Sequence, residues 1–168
     1  MSKYNRIQTP TGRCDQKLAA GDTSLIALNL SATDYAILMT ARYFFASFAN
    51  PNGAAWVSVM LYSDDFFPNH YDSPRIVQSV LALVHEIRTS RRSMLRFSNP
   101  HCLDCANIVT AAERHLIAIL QDVRAGKLSS ATTHTMMLCE GHETKGVLDA
   151  VERLLVASEN SRVCASKS

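Results

Sequence analysis

Two cysteines stand two residues apart in "NPHCLDCANIVTAAERHL", residues 99–116, and a cysteine and a histidine stand at the same interval in "LCEGHE", residues 138–143. Cys102, Cys105, Cys139 and His142 together offer three sulfurs and one imidazole nitrogen, a donor set that suits tetrahedral zinc. Two intervening residues let a single turn bring both members of a pair to one ion. A helix starting beside Cys102 adds partial positive charge, which favours the thiolate. Four protein ligands fill the shell and leave no position for water or substrate, so the expected metal is structural. The same donors also suit iron–sulfur chemistry. His101 is a local substitute for one ligand, and His115 and His134 are more distant ones.

Two other readings compete for these residues. A C-x-x-C at a helix start is how a thiol-redox sensor places a reactive sulfur, but such motifs follow a strand, and none is visible before Cys102. The bland reading is core: free cysteine is among the most buried residue types, and Cys139 follows Met136, Met137 and Leu138. His142 is then a surface residue after a helix cap. The spacing itself raises a geometric difficulty. If helices connect the two half-sites strictly antiparallel, the longer overshoots the shorter by roughly 12 Å at ~1.5 Å per residue.

Arg88, Arg92 and Arg96 recur every fourth position, with Arg91 beside them. On a helix they share one face, which would contact phosphate or an acidic partner, whether protein or nucleic acid. The structural alternative is that cations near a helix C-terminus offset its macrodipole. Asp64, Asp65, His70 and Asp72 gather in one loop, where solvated polar residues are the preferred reading over acid–base work. No H-E-x-x-H, P-loop, G-x-G-x-x-G or G-x-S-x-G pattern is present, so nothing nominates a catalytic group. A binding or regulatory role is expected ahead of catalysis.

The elements that must position these residues are helical. Ser31 or Thr33 caps a first helix running to about Phe48, apolar on all sides and therefore central in a core or covered by a second copy in a homodimer. A short helix follows after "ANPNG". Ser73 and Pro74 open a third, running to about Leu95 with a stripe of Ile76, Val80, Leu83, Val84 and Ile87. The fourth extends from about Asp104 to Ala125, carrying Ile108, Ala112, Leu116, Ile119, Leu120 and Val123, with Gly126 as its stop. A fifth ends at Leu138, and Thr144 opens a sixth. No strand alternation competes. The expected fold is all-α: a single-domain bundle of about five to six helices over residues 23–157, flanked by a basic flexible arm (1–22) and a flexible tail (158–168).

The chain has 168 residues, 47% of them apolar and 19% charged, with a net charge of +2. That supports a real core and does not suggest general nucleic-acid binding. The polar opening residues lack an export signal, so a cytoplasmic setting with reduced thiols is expected. The most apolar stretch, residues 35–49, is interrupted by Arg42 and is shorter than the roughly 20 residues a membrane span needs. A metal-free helical interaction protein is the remaining alternative.

Overall fold

The computed structural model describes residues 19–61, 63–68 and 70–161, so Cys14, Cys164 and most of the expected arm and tail lie outside the described residues. The described part is predominantly helical. Its helices are α1 (Ala32–Ala49), α2 (Ala55–Leu61), α3 (Ser63–Phe66), α4 (Ser73–Ser90), α5 (Leu103–Ala106), α6 (Ala111–Arg124), α7 (Leu128–Leu138) and α8 (Lys145–Asn160). Two two-residue strands, β1 (Thr23–Ser24) and β2 (Ile108–Val109), pair antiparallel. No helix among the described residues is long and apolar enough to cross a membrane.

Helix α1 begins where Ser31 Oγ accepts the Asp34 N–H at 3.1 Å, the expected cap. It is buried on all sides, from Ile37, Leu38 and Ala41 to Phe44 and Phe45. Helices α2, α4 and α6 of the same chain pack on it. Most of its apolar circumference is therefore covered within one molecule, while Tyr35 and Phe48 remain exposed. The main core joins Ile37, Ala41, Phe44 and Phe45 to Ile76, Val80, Leu83, Leu116, Ile119, Leu138, Val151 and Leu154. A smaller cluster of Leu38, Val109 and Ile117 sits beneath Leu25, Leu28 and Leu30.

Helices α4 and α8 run antiparallel: the Tyr71 N–H reaches Ser161 O at one end, and Glu86 abuts Gly146 at the other. Helix α8 continues three residues past the expected boundary at 157, and Ser158 and Ser161 are buried. Helices α6 and α7 form an antiparallel hairpin. Gly126, at φ 71°, ends α6 in a Schellman turn, with its N–H on Val123 O and the Lys127 N–H on Asp122 O.

Helix α3 forms where a loop was expected, and two longer helices differ from expectation for identifiable reasons. The long fourth helix is divided into α5, β2 and α6. Thr110 and Glu113 form a reciprocal capping box that starts α6 afresh, and Ile108 pairs with Ser24 in the strand instead of facing inward from a helix. The third helix (α4) stops at Ser90, because Arg91 is extended (φ −102°, ψ 149°) and the chain beyond it is held by other groups. At its start, Asp72 is the cap rather than Ser73, whose hydroxyl donates to Asp64.

A buried ion pair ties α1 to the divided segment. Arg42 and Glu113 are both fully buried. All five guanidinium hydrogens are directed at acceptors: Nε to Glu113 Oε1 at 2.8 Å, Nη2 to Glu113 Oε2 at 3.2 Å and Ile108 O at 2.6 Å, and Nη1 to Ala106 O at 2.7 Å and Met39 Sδ at 3.7 Å. The carboxylate also accepts the N–H groups of Ser98, at 3.1 Å, and Thr110, at 2.8 Å. Asp34 and Arg124 make a second strap, two bonds of 2.8 and 3.2 Å, at the other end of α6.

Removing one member of a buried pair strands the other charge, which costs about 3–5 kcal/mol. Arg42→Met and Glu113→Gln should each lose about that much in urea unfolding. The double variant should lose clearly less than the sum. Strictly additive losses would show that the two charges do not stabilise one another.

Candidate functional site: an arginine-rimmed cleft and the cysteine turn

The arginines do not form the single helical face that their spacing predicts, because α4 ends before Arg91. Arg88, in the last turn of α4, lies with its guanidinium carbon 4.5 Å from the centre of the Phe48 ring. Arg91 turns back toward the end of α7, donating to Leu138 O and, at 2.8 Å, to Glu140 Oε1. Arg96 makes two bonds, of 2.6 and 2.7 Å, to Asp22. That contact fixes residues 19–22, counted at first with the flexible arm, against the body of the protein. It also holds the Asp22 carboxyl below its ordinary pKa. Arg92 is exposed, and its backbone N–H bonds to Glu140 Oε2 at 3.1 Å.

Glu140 organises this region from an unusual backbone position. Helix α7 closes in a Schellman turn, with the Gly141 N–H on Met136 O at 2.8 Å, and Glu140 fills its left-handed position at φ 57°. Glycine is the usual residue there, since a side chain costs roughly 1–2 kcal/mol. The carboxylate justifies the exception. It accepts from the Ser93 hydroxyl, the backbone N–H groups of Ser93 and Arg92, and the Arg91 guanidinium. These bonds, that of the Ser93 hydroxyl foremost, bring its pKa down to about 2.

Pinned in this way, residues 91–97 border a cleft of about 420 Å³ between themselves, the end of α1 and the end of α4. Phe45, Phe48, Leu95 and Phe97 give it an apolar lining, with Arg88, Arg91 and Arg92 at the rim. Met94, also lining it, is 83% exposed. Arg96 lies outside it. The sequence reading missed the apolar part of this site. Its signal is the mixture of apolar and basic residues in "RRSMLRF", which a helical reading conceals.

The four proposed metal ligands are placed differently. Cys102 caps the short helix α5, its Sγ accepting the Cys105 N–H at 3.4 Å. Cys105 is buried and disulfide-bonded. It is not joined to Cys102, which is free. Cys139 is fully buried at the end of α7, where desolvation raises its thiol pKa against a Ser90 hydrogen bond. His142 is half-buried in the following turn. Among the described residues, no group of three or more His, Cys, Asp or Glu is arranged to hold a metal ion. Helix α6 begins at Ala111, well after the cysteine pair, so the α6–α7 hairpin returns Cys139 toward Ser90 and Arg91. His101 packs edge-on against Tyr43, with ring centres 5.1 Å apart. Of the acidic residues expected in one loop, Asp64 and Asp65 lie on the short helix α3; Asp64 accepts from Ser73, and Asp72 caps α4, both structural roles.

Compared with known proteins, the chain matches no family model, no curated protein and no solved structure.

A carboxylate whose pKa is lower in the folded than in the unfolded chain stabilises the fold above the unfolded value and loses that effect as pH falls through the folded one. Between about pH 4.5 and 2, the melting temperature should therefore fall more steeply for the parent than for Glu140→Gln. At neutral pH, Glu140→Gln should melt lower. Glu140→Gly should not melt above the parent, despite relieving the backbone. A separate check concerns the thiols. An alkylating reagent read by peptide mass spectrometry should label Cys102 in the folded protein, and Cys139 only after unfolding. Equal rates would contradict the buried, protonated state of Cys139.

Proposed function

We propose that this is a non-catalytic helical binding protein whose partner surface is the arginine-rimmed cleft, and that the partner is a short acidic segment of another protein carrying an apolar side chain. The observation that carries this reading is the union of Phe45, Phe48, Leu95 and Phe97 with Arg88 and Arg92 in one cavity of about 420 Å³. That size is within the usual range for ligand sites. An apolar lining under a cationic rim favours an amphipathic anion: the apolar side chain is desolvated inside while carboxylates meet the guanidinium groups. Arg91 and Arg96 already face Glu140 and Asp22, so most of the attraction for a partner falls to Arg88 and Arg92. A bare phosphate backbone would use the charge but not the apolar lining, which favours protein over nucleic acid. Structural zinc at the cysteines is no part of this proposal.

Selection from a random peptide library should enrich sequences with Asp or Glu flanking Leu or Phe. Arg92→Glu and Phe48→Ala should each weaken the enriched peptides at least about tenfold, a loss of about 1.4 kcal/mol. Salt should weaken binding to the parent more than to Arg92→Glu. Peptides without acidic bias, or unchanged binding by both variants, would overturn the assignment. Tight, salt-dependent binding of single-stranded nucleic acid in place of peptide would transfer the surface to that partner class.

A further inference from the structure

The α6–α7 hairpin carries a feature used neither by the cleft nor by the cysteines. His115 of α6 and His134 of α7 face one another, with their Nδ1 atoms 3.0 Å apart. We propose that His115 and His134 form a two-imidazole site for a divalent transition-metal ion such as zinc, with water completing the coordination shell.

The spacing is that of two ligands on one ion. Nitrogens bound at about 2.0–2.1 Å and subtending roughly 90–110° at the metal lie about 2.9–3.4 Å apart. The hairpin fixes this separation, because the Gly126 turn and the packing of α6 on α7 set the register between the two helices. Both residues are half-buried, and the His134 side chain retains 35% exposure, so ion and water can reach the pair.

The surroundings select the tautomers that such a site needs. Asp122 Oδ2 lies 3.9 Å from His134 Nε2, on the far side of that ring from His115, and Ser130 Oγ holds the carboxylate through a 2.6 Å bond. Negative charge there favours a proton on Nε2, leaving the Nδ1 lone pair of His134 directed at the site. In the metal-free pair, His115 then supplies the shared hydrogen from its own Nδ1. On metal binding that proton moves to Nε2 of His115, a change of tautomer with no net proton release. Imidazole donors suit zinc, copper and nickel alike. With two protein ligands, the ion would act as a clasp on the hairpin, with open positions left to water.

The test is titration of the whole chain with zinc, followed by calorimetry and by the ring ¹⁵N resonances of the histidines. One saturating equivalent should move the Nδ1 resonances of both His115 and His134 and raise the melting temperature. His134→Gln should weaken binding at least about tenfold, since losing even an outer partner of a metal-ligating histidine acts on that scale. Cys102→Ser should leave the ring shifts intact. Ring resonances that follow pH but ignore zinc would overturn the proposal, as would parent-like affinity in the His115→Gln/His134→Gln double variant. Should that variant fail to fold, the ring shifts of the parent decide alone.

Discussion

Arg42 lies at the middle of α1, sealed from water, and a guanidinium cannot escape its charge there by losing a proton. Everything around it is arranged to compensate. Glu113 supplies the countercharge, and two backbone carbonyls and the Met39 sulfur take the remaining hydrogens. The carbonyls of Ala106 and Ile108 can meet the guanidinium only because the chain between α5 and α6 is not helical. Glu113 is shared in turn: one oxygen holds Ser98 in the segment after α4, and the other holds Thr110 at the start of α6. The break in the long helix, the seating of residues 96–99 and the placement of α1 are thus one arrangement, organised around a single cation.

Much of the helical frame was legible in the sequence. Ser31, Gly126 and the apolar stripes of the third and sixth helices sit where capping chemistry and 3.6-residue periodicity put them. The division of the fourth helix was written there too, as Thr110 followed three residues later by Glu113. The apolar spacing from Ile108 to Val123 ran through it and masked it. Arg42 could be seen only as an interruption, since its partner is 71 residues away and no local pattern links them. The arginine run misled for a similar reason: spacing by four implies a common face only while the helix lasts, and Ser90 ends it. The cysteine pairs were judged on intervals alone. Burial of Cys139 and the disulfide at Cys105 depend on packing that intervals do not encode.

The cleft owes its shape to carboxylates rather than to the arginines that rim it. Glu140 draws Arg91 inward and fixes the backbone of Arg92 and Ser93, while Asp22 holds Arg96 aside. Four cations close in sequence would otherwise repel one another. Pairing two of them inside the molecule leaves Arg88 and Arg92 displayed beside apolar rings, a narrower target than a uniformly basic helix. The left-handed backbone at Glu140 serves the same end, placing the carboxylate where a right-handed continuation of α7 would not.

The separation between Arg42 and Glu113 also bears on how the chain is made. During synthesis α1 emerges well ahead of its counterion. At roughly 5–20 residues per second, the separation of 71 positions corresponds to a wait of about 4–14 s. Over that interval the most apolar helix of the protein carries a charge that no neighbouring segment can neutralise. Docking α1 early would bury that charge alone, which costs about 3–5 kcal/mol until Glu113 arrives. The charge of Arg42 thus opposes burial of residues 35–49 before its partner is available.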